Sequence, residues 1–448
     1  MKDVKQSSRI GWVTVTFVAA LVGANSLVPS FVQAARRGPA HPRRVIHLIY
    51  WNMWSGRWET LVKNMVADFN RTHPGIQVKT LAVPSASGDA KLLTAIAAGN
   101  PPDVFTEWNP SIGSFAQNHS ILSLNRFMKG PYRGMRSWFY PVSLKFSTYR
   151  GKLYGLPWTM NDLLLFYNKT MMKQAGLNPH RPPKTMAQLT SDQAKMWKYG
   201  KGGSIKQMGF YADTWDALTG VFNVNDVIHG KYNLLTPNAI KEMKFIAEYR
   251  KYPFAKVGGF ASAFSAAAGG GEDPFDMGKA GFYINGMWEI PQIQQNDPKL
   301  QYGVAPLPAP PGGHYGASWI NGNYNIIPRG AKYPRAAWTF IAWLAGYHNV
   351  RWAASHDPLG GWLPPSPAVT KQPAYKKFVN ANPWRKYFVA ALANRFDRVT
   401  PVTPVEQYFE TKMTNAVDGV LEGREKPIAA LRHVQTVTNQ QLVGTQAP

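Results

Sequence analysis

Six tryptophans punctuate the chain, five of them close to hydrogen-bonding residues. Trp54 follows Asn52, Trp108 follows Glu107, and Trp215 follows Asp213. Trp288 precedes Glu289, Trp319 precedes Asn321, and Trp362 follows Gly360-Gly361. Each lies after a strand-like run or in a Gly-flanked turn, where side chains are presented rather than buried. A flat apolar ring beside carboxylate and amide groups suits a particular ligand chemistry. It fits a ring compound with a C–H face to stack and a hydroxyl rim to hydrogen-bond. The competing reading is that these rings close the core beneath their loops, and their polar neighbours argue against it.

Catalytic signatures are missing. The chain has no G-x-S-x-G, H-E-x-x-H or Walker loop, and no G-x-G-x-x-G after a strand. Cysteine is absent, which removes disulfides, thiolate metal sites and a cysteine nucleophile. The ten histidines are dispersed without paired metal spacing, so neither a metal centre nor a cofactor is expected. Glu107 and Glu289 could face each other across a cleft, as a glycosidase would require. Beside tryptophans, they are better suited to accept hydrogen bonds from hydroxyls.

The elements that must position these residues follow from periodicity. A chain of 448 residues exceeds the size of a single core, so two or more lobes are expected. Val45–Tyr50 is strand-like. From Trp58, Leu61, Val62, Met65, Val66 and Phe69 take the spacing of an amphipathic helix. Ile76–Val78 starts a second strand, Leu92, Leu93 and Ile96 mark another helix, and Val104-Phe105 begins a third strand. This β-α-β-α-β order predicts a parallel, helix-covered sheet, with ligands outside the carboxyl ends of its strands. Thr185–Gln188 fits a capping box, and Thr236-Pro237 opens a helix over 237–250. Gly281–Ile284 reads as a strand leading into the loop 285–289.

Residues 151–177 form a loop, a buried strand (Leu163–Tyr167) and a short helix ending at Gly176. The run Gly151-Lys152-x-Tyr154-Gly155-Leu156-Pro157, then Tyr167-Asn168-Lys169 and Ala175-Gly176-Leu177, resembles the signature segment of the family 1 extracellular solute-binding proteins. These are sugar-receptor subunits of ABC importers related to the maltose- and glycerol-phosphate-binding proteins. The resemblance extends from about 45 to 430 through H-P-G-I-x-V at 73–78, A-G-x-P-P-D-V-F at 98–105, F-x-x-G-x-A at 275–280 and Tyr302–Pro308. His119-Ser120 stands where a Gly is usual, and Thr-Met-Ala-Gln replaces Thr-Trp-x-Glu at 185–188.

The resemblance implies an α/β, two-lobed periplasmic-binding-protein-like fold (type II) with a ligand cleft between lobes. It places lobe 1 at 45–153 plus 319–345 and lobe 2 at 156–316 plus 360–440. It carries ligand contact to Trp54, Glu107, Trp108, Trp288, Glu289, Trp319 and Trp362. Asp213 and Trp215 rest on local pattern alone. The implied partners are a carbohydrate and the transmembrane subunits of an ABC permease, for a monomeric, non-enzymatic receptor that closes by a hinge. Its expected location is secreted, in the periplasm or on the extracellular face of the membrane.

Lys2, Lys5 and Arg9, an uncharged stretch over 10–35 and Val32-Gln33-Ala34 read as a signal peptide spanning 1–34, followed by a basic linker at 35–44. An uncleaved anchor is the alternative, and membrane association is otherwise expected only through the permease. The absence of cysteine departs from the family's lipoprotein form. Fifty basic residues against 25 acidic ones give +25. The basic residues are scattered without a Lys/Arg-rich run, so no nucleic-acid partner is expected. The charge keeps two alternatives open: a receptor for a phosphorylated or acidic solute such as a glycerol phosphate, or a basic surface adhesin. The scarcity of carboxylates also fits an acidic exterior, where they would be protonated.

Overall fold

A computed structural model describes residues 44–108, 111–211, 215–252, 273–393 and 396–445. The segment read as a signal peptide, nearly all of the segment read as a basic linker, and Asp213 lie outside the described residues. The strands are β1 (Ile46–Asn52), β2 (Ile76–Ala82), β3 (Val104–Glu107), the hairpin β4 (Thr148–Tyr149) and β5 (Lys152–Leu153), β6 (Leu156–Asp162), β7 (Leu164–Asn168), β8 (Lys198–Tyr199), β9 (Ile205–Tyr211), the hairpin β10 (Val227–Ile228) and β11 (Lys231–Tyr232), β12 (Ala280–Asn285), β13 (Tyr302–Ala305), β14 (Trp319–Ile326) and β15 (Arg398–Val399).

Two sheets result. The first has the order β15-β14-β3-β1-β2, with β6 also on β14; the second has the order β13-β7-β12-β9-β8. β1 is parallel to β2 and to β3, as the β-α-β-α-β pattern requires. The sheet is nonetheless mixed, because β14 runs antiparallel to β3. β14 comes from the second sheet rather than through a helical crossover, so the usual constraint to parallel pairing does not apply. The helix Gly56–Thr72 buries Leu61, Val62, Met65, Val66 and Phe69, the stripe read from the sequence. They pack with Leu48, Tyr50, Phe340 and Trp343 in the first core. The second core joins Met243 and Ile246 of the helix Pro237–Glu248 to Phe409, Met413, Leu431 and Val434 of two C-terminal helices.

Local signals hold where they are complete. Thr185 and Gln188 form the reciprocal capping box, and Thr236 caps its helix through Ala239 N–H. Asn168 ends β7 and caps the next helix by accepting from Met171 N–H at 3.0 Å.

The chain passes between the sheets at Asp162–Leu163, again between β13 and β14, and a third time next to β15, which pairs with β14 in the first sheet. Strand pairing shifts the lobe boundaries drawn from sequence: 156–162 and 398–399 fall in the first sheet, not the second lobe. β6 is drawn there because Trp158 is fully buried and packs edge-on to Trp54. Likewise Trp362 joins the first core.

Candidate ligand cleft

The elements meet around a cavity of ≈410 Å³. The first-sheet side contributes Met53, Trp54, Trp58 and Trp108. The crossing strands contribute Asn161, Leu163, Trp319 and Asn323. The second-sheet side contributes Tyr283, Ile284, Asn285, Trp288, Glu289 and Gln292, and Trp362 completes the wall. Ligand groups therefore gather beyond the ends of β1, β3 and β12, where open α/β sheets place their sites.

Each wall is braced from below. Asn52 is buried; its side-chain oxygen accepts from Trp54 N–H at 3.0 Å while its amide donates to Thr80 Oγ1 at 2.8 Å. Trp54 lies 5.0 Å from Trp362, centroid to centroid. Trp58 Nε1 donates to Gly360 O at 3.1 Å, and Arg57 donates to Leu359 O at 3.2 Å, so the first helix holds the 359–362 turn. Trp319 begins β14 rather than lying in the turn before it, and its indole donates to Thr400 Oγ1 at 2.8 Å. Gly286 permits the fold of Trp288 over its own loop: a Cβ there would come 2.0 Å from the indole. Asn321 donates to Trp108 O at 3.4 Å, tying β14 to the end of β3.

Of the residues singled out from sequence, Trp54, Trp108, Trp288, Glu289, Trp319 and Trp362 converge on the cavity. Glu107 does not. It is fully buried, its Oε1 accepts from Trp108 N–H at 2.8 Å, and its Oε2 lies beside Gly88. The side chain braces the strand end beneath the wall. Trp215 also lies elsewhere. It packs edge-on to Phe409 at 5.9 Å and donates to Thr414 Oγ1 at 3.2 Å, within the second core.

The sequence reading does not place Trp58, Tyr283, Asn285, Gln292 or Asn323 at the site. Asn285 was within reach, since it opens the N-G-x-W loop. The periodicity marks Trp58 only as the start of a helical stripe.

Among the described residues, the lining set contains no Lys, Arg or His and one carboxylate, Glu289. Burial, with Asp273 and Asp276 nearby, pushes the Glu289 carboxyl well above the usual carboxylate range. The wall facing a ligand is therefore aromatic and amide-rich, with little net charge.

A cleft lined from both sides of two α/β sheets, with the chain crossing between them three times, defines a two-lobed binding protein. Residues 64–383 match the model of the bacterial extracellular solute-binding proteins, and the chain belongs to that family. It is similar to the maltodextrin-binding protein MdxE of Bacillus subtilis, at 25% identity over 323 residues, covering 70% of each chain. It is also similar to the galactooligosaccharide-binding protein of the same organism, at 24% identity, covering 83% of this chain and 84% of the relative. Among solved structures, CpMnBP1 with mannobiose bound superposes with a TM-score of 0.77 at 30% identity, covering 88% of this chain and 99% of that one. Among the described residues, no helix is long and apolar enough to cross a membrane.

Proposed function

We propose that this protein is the carbohydrate-binding component of an ABC importer, holding an oligosaccharide in the cleft and presenting it to a membrane permease. The observation that carries this reading is the cavity itself. Trp54, Trp58, Trp108, Trp288, Trp319 and Trp362 border one space with Asn161, Asn285, Gln292 and Asn323 and, among the described residues, no cationic side chain. Indole faces stack on pyranose C–H faces, and amides serve both donors and acceptors on the hydroxyl rim. The ≈410 Å³ volume falls in the range of about 300–1,000 Å³ typical of small-ligand sites. The relatives bound to mannobiose and mannotriose support a short oligosaccharide.

The work done is binding, as in the relatives named for it; among the described residues one carboxylate borders the cavity, whereas glycoside hydrolysis uses two. Ligand contacts from both lobes favour a closed state that the permease recognises. The receptor acts as a monomer outside the cytoplasmic membrane or in the periplasm.

A thermal-shift screen against mannobiose, mannotriose, maltotriose, glycerol phosphate and acidic sugars tests this, at low and high salt. A salt-insensitive rise in Tm with neutral oligosaccharides is expected. A rise confined to anionic compounds and lost in salt would overturn it in favour of an acidic-solute receptor. No rise with any sugar would overturn it outright.

A further inference from the structure

We propose that Asp273, Asp276 and Glu289 together bind a divalent cation of the calcium class, directly beneath the Trp288 wall of the cleft. One oxygen from each carboxylate lies within 4.8 Å of the others. Calcium takes oxygen ligands at about 2.3–2.6 Å, so two ligands of one ion stand at most about 4.6–5.2 Å apart. The three oxygens thus fit around a single ion of that size.

A second observation points the same way. Glu289 is 1% exposed, and while its Oε2 accepts from Asn285 Nδ2 at 2.8 Å, its Oε1 has neither a hydrogen-bond partner nor contact with solvent. A buried carboxylate oxygen without a partner among the described residues carries a desolvation penalty that an ion would offset. Among the described residues, the charged groups bearing on Glu289 are Asp273 and Asp276, both of the same sign.

The surroundings are built to hold these carboxylates in place. Asp273 Oδ1 accepts from Phe275 N–H at 2.7 Å and Asp276 N–H at 3.0 Å. Asp276 accepts from Asp273 N–H at 2.9 Å and from Asn296 Nδ2 at 2.7 Å. Hydrogen bonds of this kind orient carboxylates that serve as metal ligands. The donor set is all oxygen, which suits a hard cation and disfavours zinc or copper. The ion would join the segment before β12 to the helix Glu289–Asn296 after it. It would therefore fix the loop that carries Trp288.

The competing arrangement fills the same place with protons, and burial does push Asp273 up to about 7. The two are separated by treating the full chain with chelator and titrating it, sugar-free and at mildly alkaline pH, with CaCl2 and separately with TbCl3. Calcium at about 5 mM is expected to raise Tm, and Tb³⁺ is expected to show saturable emission sensitised through Trp288. Asp276→Asn should weaken Tb³⁺ binding by about tenfold or more, whereas Asp68→Asn, at a surface ion pair, should leave it unchanged. The native chain alone can overturn the proposal: no rise in Tm and no sensitised emission would mean that the carboxyls hold protons. Emission unchanged in a folded Asp276→Asn variant would place the ion elsewhere and overturn it equally. Because no sugar is present, neither result depends on the carbohydrate reading.

Discussion

Ser318 clasps Leu163 twice. Its Oγ donates to Leu163 O at 2.7 Å and accepts from Leu163 N–H at 3.3 Å. Leu163 is the residue at which the chain leaves the first sheet for the second, and Ser318 is the residue before it returns along β14. The backbone N–H of Ser318 also donates to Asp397 Oδ1 at 2.9 Å, on the third crossing segment. All three crossings therefore converge on one buried serine. Gly220 closes against it so tightly that a Cβ there would sit 1.8 Å from Ser318 O.

Ser318→Ala would leave the buried peptide groups of Leu163 without the hydroxyl they share. The expected loss is about 1–3 kcal/mol of unfolding free energy, the cost of unsatisfied buried polar groups. Denaturant melts measure it, and a loss well below that range would show the hydroxyl to be dispensable at the crossing.

The same junction makes stability depend on pH. Burial raises Asp397 to about 7 and Glu406 to about 8. Asp162 is pushed well above the usual range, by burial first and by Asp397 second. These groups keep their protons in the folded chain at pH values where the unfolded chain has released them, so stability falls as pH rises. The contribution is complete below the unfolded carboxylate value of about 4, and the share of Asp397 and Glu406 is lost as pH rises through about 7 to 8. Asp68, held low chiefly by the Trp352 indole and by Arg71, acts in the opposite sense at the bottom of the range. Melting temperature measured across this interval is expected to peak in mild acid, in keeping with a chain poor in carboxylates, and Asp162→Asn should flatten the decline. A Tm that rises toward pH 8 would contradict this.

What was legible from sequence was what neighbouring residues decide. The stripe from Leu61 to Phe69, the Thr185–Gln188 box and the Thr236 cap are each contained within a few residues, and each formed as read. The order of strands and helices carried the fold for the same reason. Glu107 was misplaced because β3 is buried on both faces, so a position at a strand end does not reveal which way the side chain turns. Trp215 was misplaced because its partners, Phe409 and Thr414, lie about two hundred residues further along the chain. Asn323 and Gln292 reach the cleft only because the crossing strands set the two sheets face to face. No local pattern contains that geometry.

The tryptophans should separate into those that bind and those that hold the fold. Trp288 is partly exposed at the cavity, and Trp288→Ala is expected to cost about 2 kcal/mol of sugar affinity, or roughly thirtyfold in Kd, with little change in Tm. Trp54 packs on both Trp158 and Trp362, so Trp54→Ala should lower affinity and also cost about 3–5 kcal/mol of stability. Trp215→Ala should lower Tm and leave affinity unchanged. Calorimetric titration beside thermal melts distinguishes the three, and unchanged affinity in Trp288→Ala would remove that ring from the site.

Gly361 joins the two walls. It has a φ of +70°, in the left-handed region, and ends the helix Val350–Gly360 immediately before Trp362. A Cβ at this position would come 2.9 Å from Trp288 Cα and 3.0 Å from Pro291 Cγ, on the opposite side of the cleft. The backbone conformation alone makes alanine unfavourable, by about 1 kcal/mol or more, and the contact with backbone leaves no flexible atom to yield. Gly361→Ala is therefore expected to destabilise the protein and to force the Trp362 and Trp288 walls apart, weakening sugar binding. Gly99→Ala serves as the comparison, since Gly99 shares a positive φ of 71° but meets nothing within 4 Å. It should cost stability alone. Equal effects of the two substitutions on sugar affinity would show that the approach of Gly361 to Trp288 does not set the width of the cleft.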